Sequence, residues 1–99
     1  MGKQRSSFIQ SLALMLGAGL SLIEALQALE AETRSRSMKK VVHEITLSVK
    51  SGIPLWRTLK NTCFLTPYEI ALIHIGEDAG SLARNMTYLA EQQEKDHAP

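Results

Sequence analysis

Apolar residues recur about every 3.6 positions along almost the whole chain, and no stretch alternates with period two. A chain patterned in this way buries stripes along helices and offers no alternating face from which to build a sheet. Aromatic residues are few (Phe8, Trp56, Phe64, Tyr68 and Tyr88), so a core has to come from Leu, Ile, Val, Met and Ala. Straight-chain residues and Ala lose little freedom in a helix, and the expected class is all-α.

Start and stop signals divide the pattern into six helices. The first runs from about Arg5 to Gly17. Gly19 suits the left-handed position after a helix, and Leu20 completes a Schellman-type stop. Ser21 and Glu24 then have the spacing of a capping box, and Leu22, Ile23, Leu26 and Leu29 form the buried face of the second helix. A polar link from Glu32 to Ser37 leads to a third helix with the stripe Met38, Val41, Val42, Ile45 and Val49. Gly52 and Ile53 repeat the stop, and Pro54 suits the first turn of a short fourth helix with Leu55, Trp56 and Leu59. Thr66, Pro67 and Glu69 supply a cap, a first-position proline and a capping-box acid for the fifth, which carries Ile70, Leu72, Ile73 and Ile75 and stops at Gly80. Ser81 is placed to cap a sixth, with Leu82, Met86, Leu89 and Ala90 facing in.

The glycine stop therefore occurs three times, at Gly19, Gly52 and, one residue shorter, at Gly80. Short connections make consecutive helices antiparallel neighbours. The expectation is a six-helix bundle built from three antiparallel helical hairpins, forming one domain over residues 1–99. Unequal hairpin lengths argue against a solenoid with an exact repeat.

Charge excludes little. The formal net charge is +1, which draws the chain to neither nucleic acid nor anionic membrane as a whole. Cys63 is the single cysteine, so no internal disulfide is possible; it reads as a small buried or half-buried apolar residue in a chain suited to the cytosol. Residues 6–23 are uncharged after a basic start, which mimics a signal peptide or a short membrane span. However, Gln10 and Ser11 interrupt the stretch, and Phe8, Ile9, Leu12, Met15 and Leu16 keep helical-face spacing. It reads as an amphipathic helix, and no transmembrane helix is expected.

The chain lacks a recognisable chemical signature. His43-Glu44 opens like a zinc-protease helix, but Leu47 stands where the second histidine would be. His74, between Ile73 and Ile75, reads as a partly buried, hydrogen-bonded structural histidine. Gly17-Ala18-Gly19 follows a helix rather than a strand and has no P-loop lysine. No catalytic, metal or cofactor site is expected, nor an enzyme. Arg34, Arg36, Lys39 and Lys40 form the densest basic cluster, without interleaved aromatics. A solvated link is the plain reading, and a contact with lipid head groups or an acidic partner is the functional one. The competing reading of the chain as a nucleic-acid-binding or generic adaptor domain would use these same four residues.

The unusual stretch is Gly76-Glu77-Asp78-Ala79-Gly80. Two acids near a helix end oppose the macrodipole, and a glycine within a helix costs about 1 kcal/mol relative to Ala. Three uses would offset that: close approach of a neighbouring helix at Gly76, a hydrogen bond to Glu77 across the bundle, or a partner contact. Structural work is expected, with the Glu77 carboxylate turned toward amides at a nearby helix start.

With these residues placed, the chain resembles the cytoplasmic domain of the type II secretion F-protein family, from about Ser7 to Glu94. Phe8 to Leu26 looks like the family's opening hairpin, and Val49-Lys50-Ser51-Gly52-Ile53-Pro54-Leu55 resembles its mid-domain glycine turn. Ile75 to Leu82 resembles the Gly-Glu-x-x-Gly-x-Leu motif, which falls here on Gly76, Glu77, Gly80 and Leu82. Pro54 stands where the family often has a small hydroxyl residue. The resemblance implies a six-helix bundle that often self-associates, to a homodimer or higher homo-oligomer. It also implies a parent protein anchored in the bacterial inner membrane, with this domain on the cytoplasmic side. Its implied partners are a separate secretion or pilus assembly ATPase and other inner-membrane assembly proteins, serving pilin or pseudopilin handling, with no nucleic acid and no cofactor.

Overall fold

The computed structural model describes the backbone of residues 2–62 and 64–97 and the side chains of 6–62 and 64–95; Cys63, read above as a small apolar residue, lies outside the described residues. These residues form six helices and no strand: α1 (Gly2–Gly17), α2 (Leu22–Glu32), α3 (Arg36–Lys50), α4 (Leu55–Lys60), α5 (Pro67–Ala79) and α6 (Leu82–His97).

The local chemistry of the boundaries explains them. Gly19, Gly52 and Gly80 have φ of +99°, +102° and +73°, a region that side chains with a Cβ rarely enter. At each, the following amide closes the helix on a carbonyl five residues back: Leu20 on Met15, Ile53 on Ser48 and Ser81 on Gly76. That is the Schellman closure. Ser21 and Thr66 head capping boxes with Glu24 and Glu69, and Pro67 opens α5. Two starts differ from expectation. Ser35 caps α3 by accepting from the Met38 amide, so the helix begins at Arg36 and the polar link is shorter than the sequence suggested. Pro54 is the residue before α4, in extended backbone and with no side-chain cap, rather than a member of the first turn.

The core is aliphatic: Ile9, Leu12, Leu26, Val42, Ile45, Leu55, Leu59, Ile73 and Met86 are essentially inaccessible, with Phe8 packed edge-on against Phe64 at 5.3 Å. Ile75 faces solvent at 58% exposure, because Ile73 and Gly76 already define the inward face of α5. The three glycine-linked pairs are in contact, but they are not independent units. α2 also packs on α3, α4 on α5, and most extensively α1 on α6, which closes the six helices into a ring. A hairpin alone leaves one apolar stripe uncovered, and ring closure covers it.

The contacts also fix which helix ends lie together. Tyr68 and Glu69 at the start of α5 meet Gln92 and Gln93 late in α6, while the Leu72 carbonyl meets Asn85, an antiparallel register. Ser7 and Phe8 share a groove with Thr33, Arg34 and Ser35, and Phe8 touches Phe64. One end of the bundle therefore gathers the start of α1, the α2–α3 link, the α4–α5 link and the end of α6. The glycine turns lie at the other.

Candidate functional site: the glycine–glutamate corner

Gly76 sits on the buried face of α5, tight against α6. A Cβ built there would lie 3.1 Å from the Leu82 Cα and 3.2 Å from both Cβ and Nδ2 of Asn85. The absence of a side chain sets the helix separation. It also lets Asn85 Nδ2 donate to the Leu72 carbonyl at 2.8 Å, a bond from α6 into the backbone of α5. The Gly76 carbonyl closes the same helix by accepting from the Gly80 and Ser81 amides.

Glu77 points to the other neighbour. Its carboxylate accepts from the Leu55 amide through Oε2 at 2.8 Å and from the Trp56 amide through Oε1 at 2.7 Å. Those are the first amides of α4, which leave no intrahelical carbonyl to bond and for which Pro54 offers no cap. A carboxylate at that position satisfies two donors and opposes the positive end of the helix dipole. α4 has six residues, too few to hold itself, since isolated helices below about 12 residues are marginal. One carboxylate on α5 thus secures a short helix more than twenty residues away in sequence.

Gly76, Glu77, Gly80 and Leu82 are therefore brought together at a single corner joining α4, α5 and α6. Gly19 and Gly52 lie at the same end of the bundle, in the other two turns. The corner joins the three helices by close packing at Gly76 and by the hydrogen bonds of Glu77 and Asn85. Among the described residues, no group of three or more His, Cys, Asp or Glu side chains is placed to hold a metal ion.

Sequence reasoning did not single out two further features. Trp56 and His74 stack with ring centroids 3.9 Å apart and planes 14° apart, and His74 Nε2 lies 3.2 Å from Asp78 Oδ2. The stack walls a groove of about 440 Å³ with Lys60, Leu65, Pro67, Ile70 and Ala71. The i, i+4 spacing of His74 and Asp78 was visible, but the tryptophan, on another helix, was not. Glu69 is the second: beyond its capping role it is only 6% exposed and accepts from Gln93 Nε2 at 3.3 Å.

The basic cluster lies at the opposite end from the corner. Arg34, Arg36, Lys39 and Lys40 are all exposed, none is paired with an acid among the described residues, and the first turn of α3 holds no acid. His43, one turn on, is engaged with Glu30 of α2 at 3.0 Å. No helix among the described residues is long and apolar enough to cross a membrane.

Residues 8–98 match the family described as type II secretion system (T2SS), protein F. Similar proteins include a type IV pilus assembly protein PilC of Thermus thermophilus, 31% identical over 95% of this chain and 23% of its own length. The type II secretion system protein F of Pseudomonas aeruginosa is 30% identical over 92% of this chain and 22% of its own. A protein transport protein HofC homolog of Escherichia coli is 27% identical over 90% and 22%. The chain thus spans under a quarter of the length of these relatives. With the match running across all six helices and through the corner, the chain belongs to the type II secretion system protein F family.

Proposed function

We propose that the chain is a cytoplasmic scaffold domain of an inner-membrane platform protein in type II secretion or type IV pilus assembly. In this role it links an assembly ATPase to the handling of pilins or pseudopilins, by contact rather than by chemistry. The observation that carries the reading is the family match over nearly the whole chain, including the corner motif. The corner supports it by building rigid geometry: Gly76 and Glu77 fix three helices, as a domain presenting fixed surfaces requires. Co-purification of the chain with the cognate assembly ATPase, and loss of assembly when exposed residues are changed with the helices kept, is the expected result. A chain that captures neither ATPase nor any other assembly protein, and whose deletion from the parent leaves assembly intact, would remove the reading.

The domain also self-associates in this proposal, through the outer face of α5 and α6. Tyr68, Ile75 and Tyr88 are 54%, 58% and 46% exposed there, and Gln92 bridges the two tyrosines by donating to Tyr88 and accepting from Tyr68. Exposed apolar residues grouped across two helices mark an association surface. Sedimentation over a concentration range should show a dimer that Ile75→Asp dissociates without loss of helicity; a monomer at every concentration refutes it.

A further inference from the structure

We infer that the end of the bundle carrying the α2–α3 link rests against a plane of anionic lipid head groups. The inference deepens the platform reading, on which it rests, by orienting the domain against its membrane. Arg34 lies in the link, and Arg36, Lys39 and Lys40 follow at i, i+3 and i+4, on the outer face of α3. All four are exposed and unpaired among the described residues. Of the four, only Arg34 lines the neighbouring groove with Phe8, Leu29, Met38 and Val42; the other three stand exposed on α3. A row of cations on an exposed helix face, outside the groove, suits a plane of head groups, whereas an acidic peptide would call for cations converging on a cleft.

The chain's topology agrees. The start of α1 and the end of α6 lie at this same end, so a parent chain continuing in either direction leaves the bundle beside the basic link. The nearby acids do not cancel the row. Glu30 is engaged with His43, and Glu91 and Glu94 belong to α6, which the ring order places across α1 from the link; Glu32 and Glu44 remain as its neighbours. Residues 33–42 expose no large apolar side chain, so the contact is peripheral and electrostatic, without insertion. Each Lys or Arg adds a modest attraction to an anionic surface that salt screens within a Debye length. Four such contacts hold a free domain at low salt only, since screening removes most of the attraction at higher ionic strength. For one tethered beside its membrane they are enough to set orientation, because tethering raises the effective concentration.

The test is flotation of the 99-residue chain with vesicles of phosphatidylethanolamine containing phosphatidylglycerol, against vesicles of phosphatidylcholine alone. The chain should float with the anionic vesicles at low salt, stay behind with the zwitterionic ones, and be released as salt rises. Arg36→Glu/Lys40→Glu should lower partitioning by on the order of tenfold or more, from the attraction each cation contributes. Lys50→Glu/Arg84→Glu makes the same change in net charge on exposed positions near the glycine-turn end, and should leave most of the binding. Circular dichroism checks that both variants keep their helices. Absence of flotation at low salt overturns the inference, as does an equal loss in the two variants, which would reduce the effect to net charge. Binding to polyglutamate or duplex DNA without binding to vesicles also overturns it, in favour of an acidic protein or a nucleic acid. A chain that fails on vesicles yet co-purifies with the assembly ATPase loses this orientation and keeps the platform role.

Discussion

Glu77 accepts from two backbone amides of α4 for which that helix supplies no acceptor, so its removal strands both donors. A donor left without a partner costs about 1–3 kcal/mol, and the part-buried setting puts Glu77→Ala within that range rather than above it. Glu77→Gln keeps the length but offers one acceptor oxygen for two amides, so its loss should be smaller. Gly76→Leu should cost about 1–3 kcal/mol by overpacking, because its first obstacle is the Leu82 backbone, which cannot rotate aside. Asp78 is 72% exposed on its side chain and, among the described residues, pairs with His74 alone, so Asp78→Ala should lie near zero. Urea denaturation of the four variants checks the order. A Glu77→Ala variant as stable as the parent would show that water replaces the carboxylate freely. The use of this corner was legible from the sequence, since a helix-interior glycine followed by two acids has to be offset by something. The identity of the capped helix was not, because nothing in local spacing says that α4 lies within reach of α5.

Helix boundaries were the most legible feature of the elements. A glycine followed by an apolar residue, or Ser/Thr with Glu three positions on, is a complete local mechanism, and the chain uses each openly. The boundaries that shifted, at Arg36 and at Pro54, are those where a nearer serine took the cap or where the cap came from another helix. The capping box at α2 carries a pH signature. Glu24 receives the Ser21 backbone amide at 2.9 Å, and hydrogen bonds from Ser21 hold its carboxyl below the ordinary glutamate value. A carboxyl whose folded value is depressed contributes stability that is complete above its unfolded value and fades as pH falls through the folded one. Glu24→Gln should therefore be less stable than the parent at neutral pH, with the gap closing below about pH 4, where the parent's carboxyl is also protonated. Paired denaturation curves at pH 7 and pH 3 measure it. A gap unchanged between them would mean that the box acts through shape alone.

At the scale of the whole molecule, the pairing of α1 with α6 could not be read from the sequence, because no local signal joins a first helix to a last one. Apolar stripes state how much each helix must bury, not against which neighbour. Yet this is the most extensive helix contact of the ring, and Phe8, Ile9, Leu12 and Ala13 of α1 are all buried. Met86 and Leu89 of α6 are buried to 0% and 2% exposure, and full burial of such side chains contributes about 1.5–3 kcal/mol each. Domains of this size have about 5–15 kcal/mol in total, so losing those two contacts and uncovering their partners on α1 removes most of the margin. Ending the chain after Gly80 should therefore do more than delete one helix. The five helices that remain keep their caps and glycine stops, so residual helicity should persist by circular dichroism. The sharp urea transition should broaden or vanish, and a dye that reports exposed apolar surface should bind. If the shortened chain instead unfolds as cooperatively as the parent, the glycine-linked hairpins are self-sufficient units and ring closure is not what holds them together.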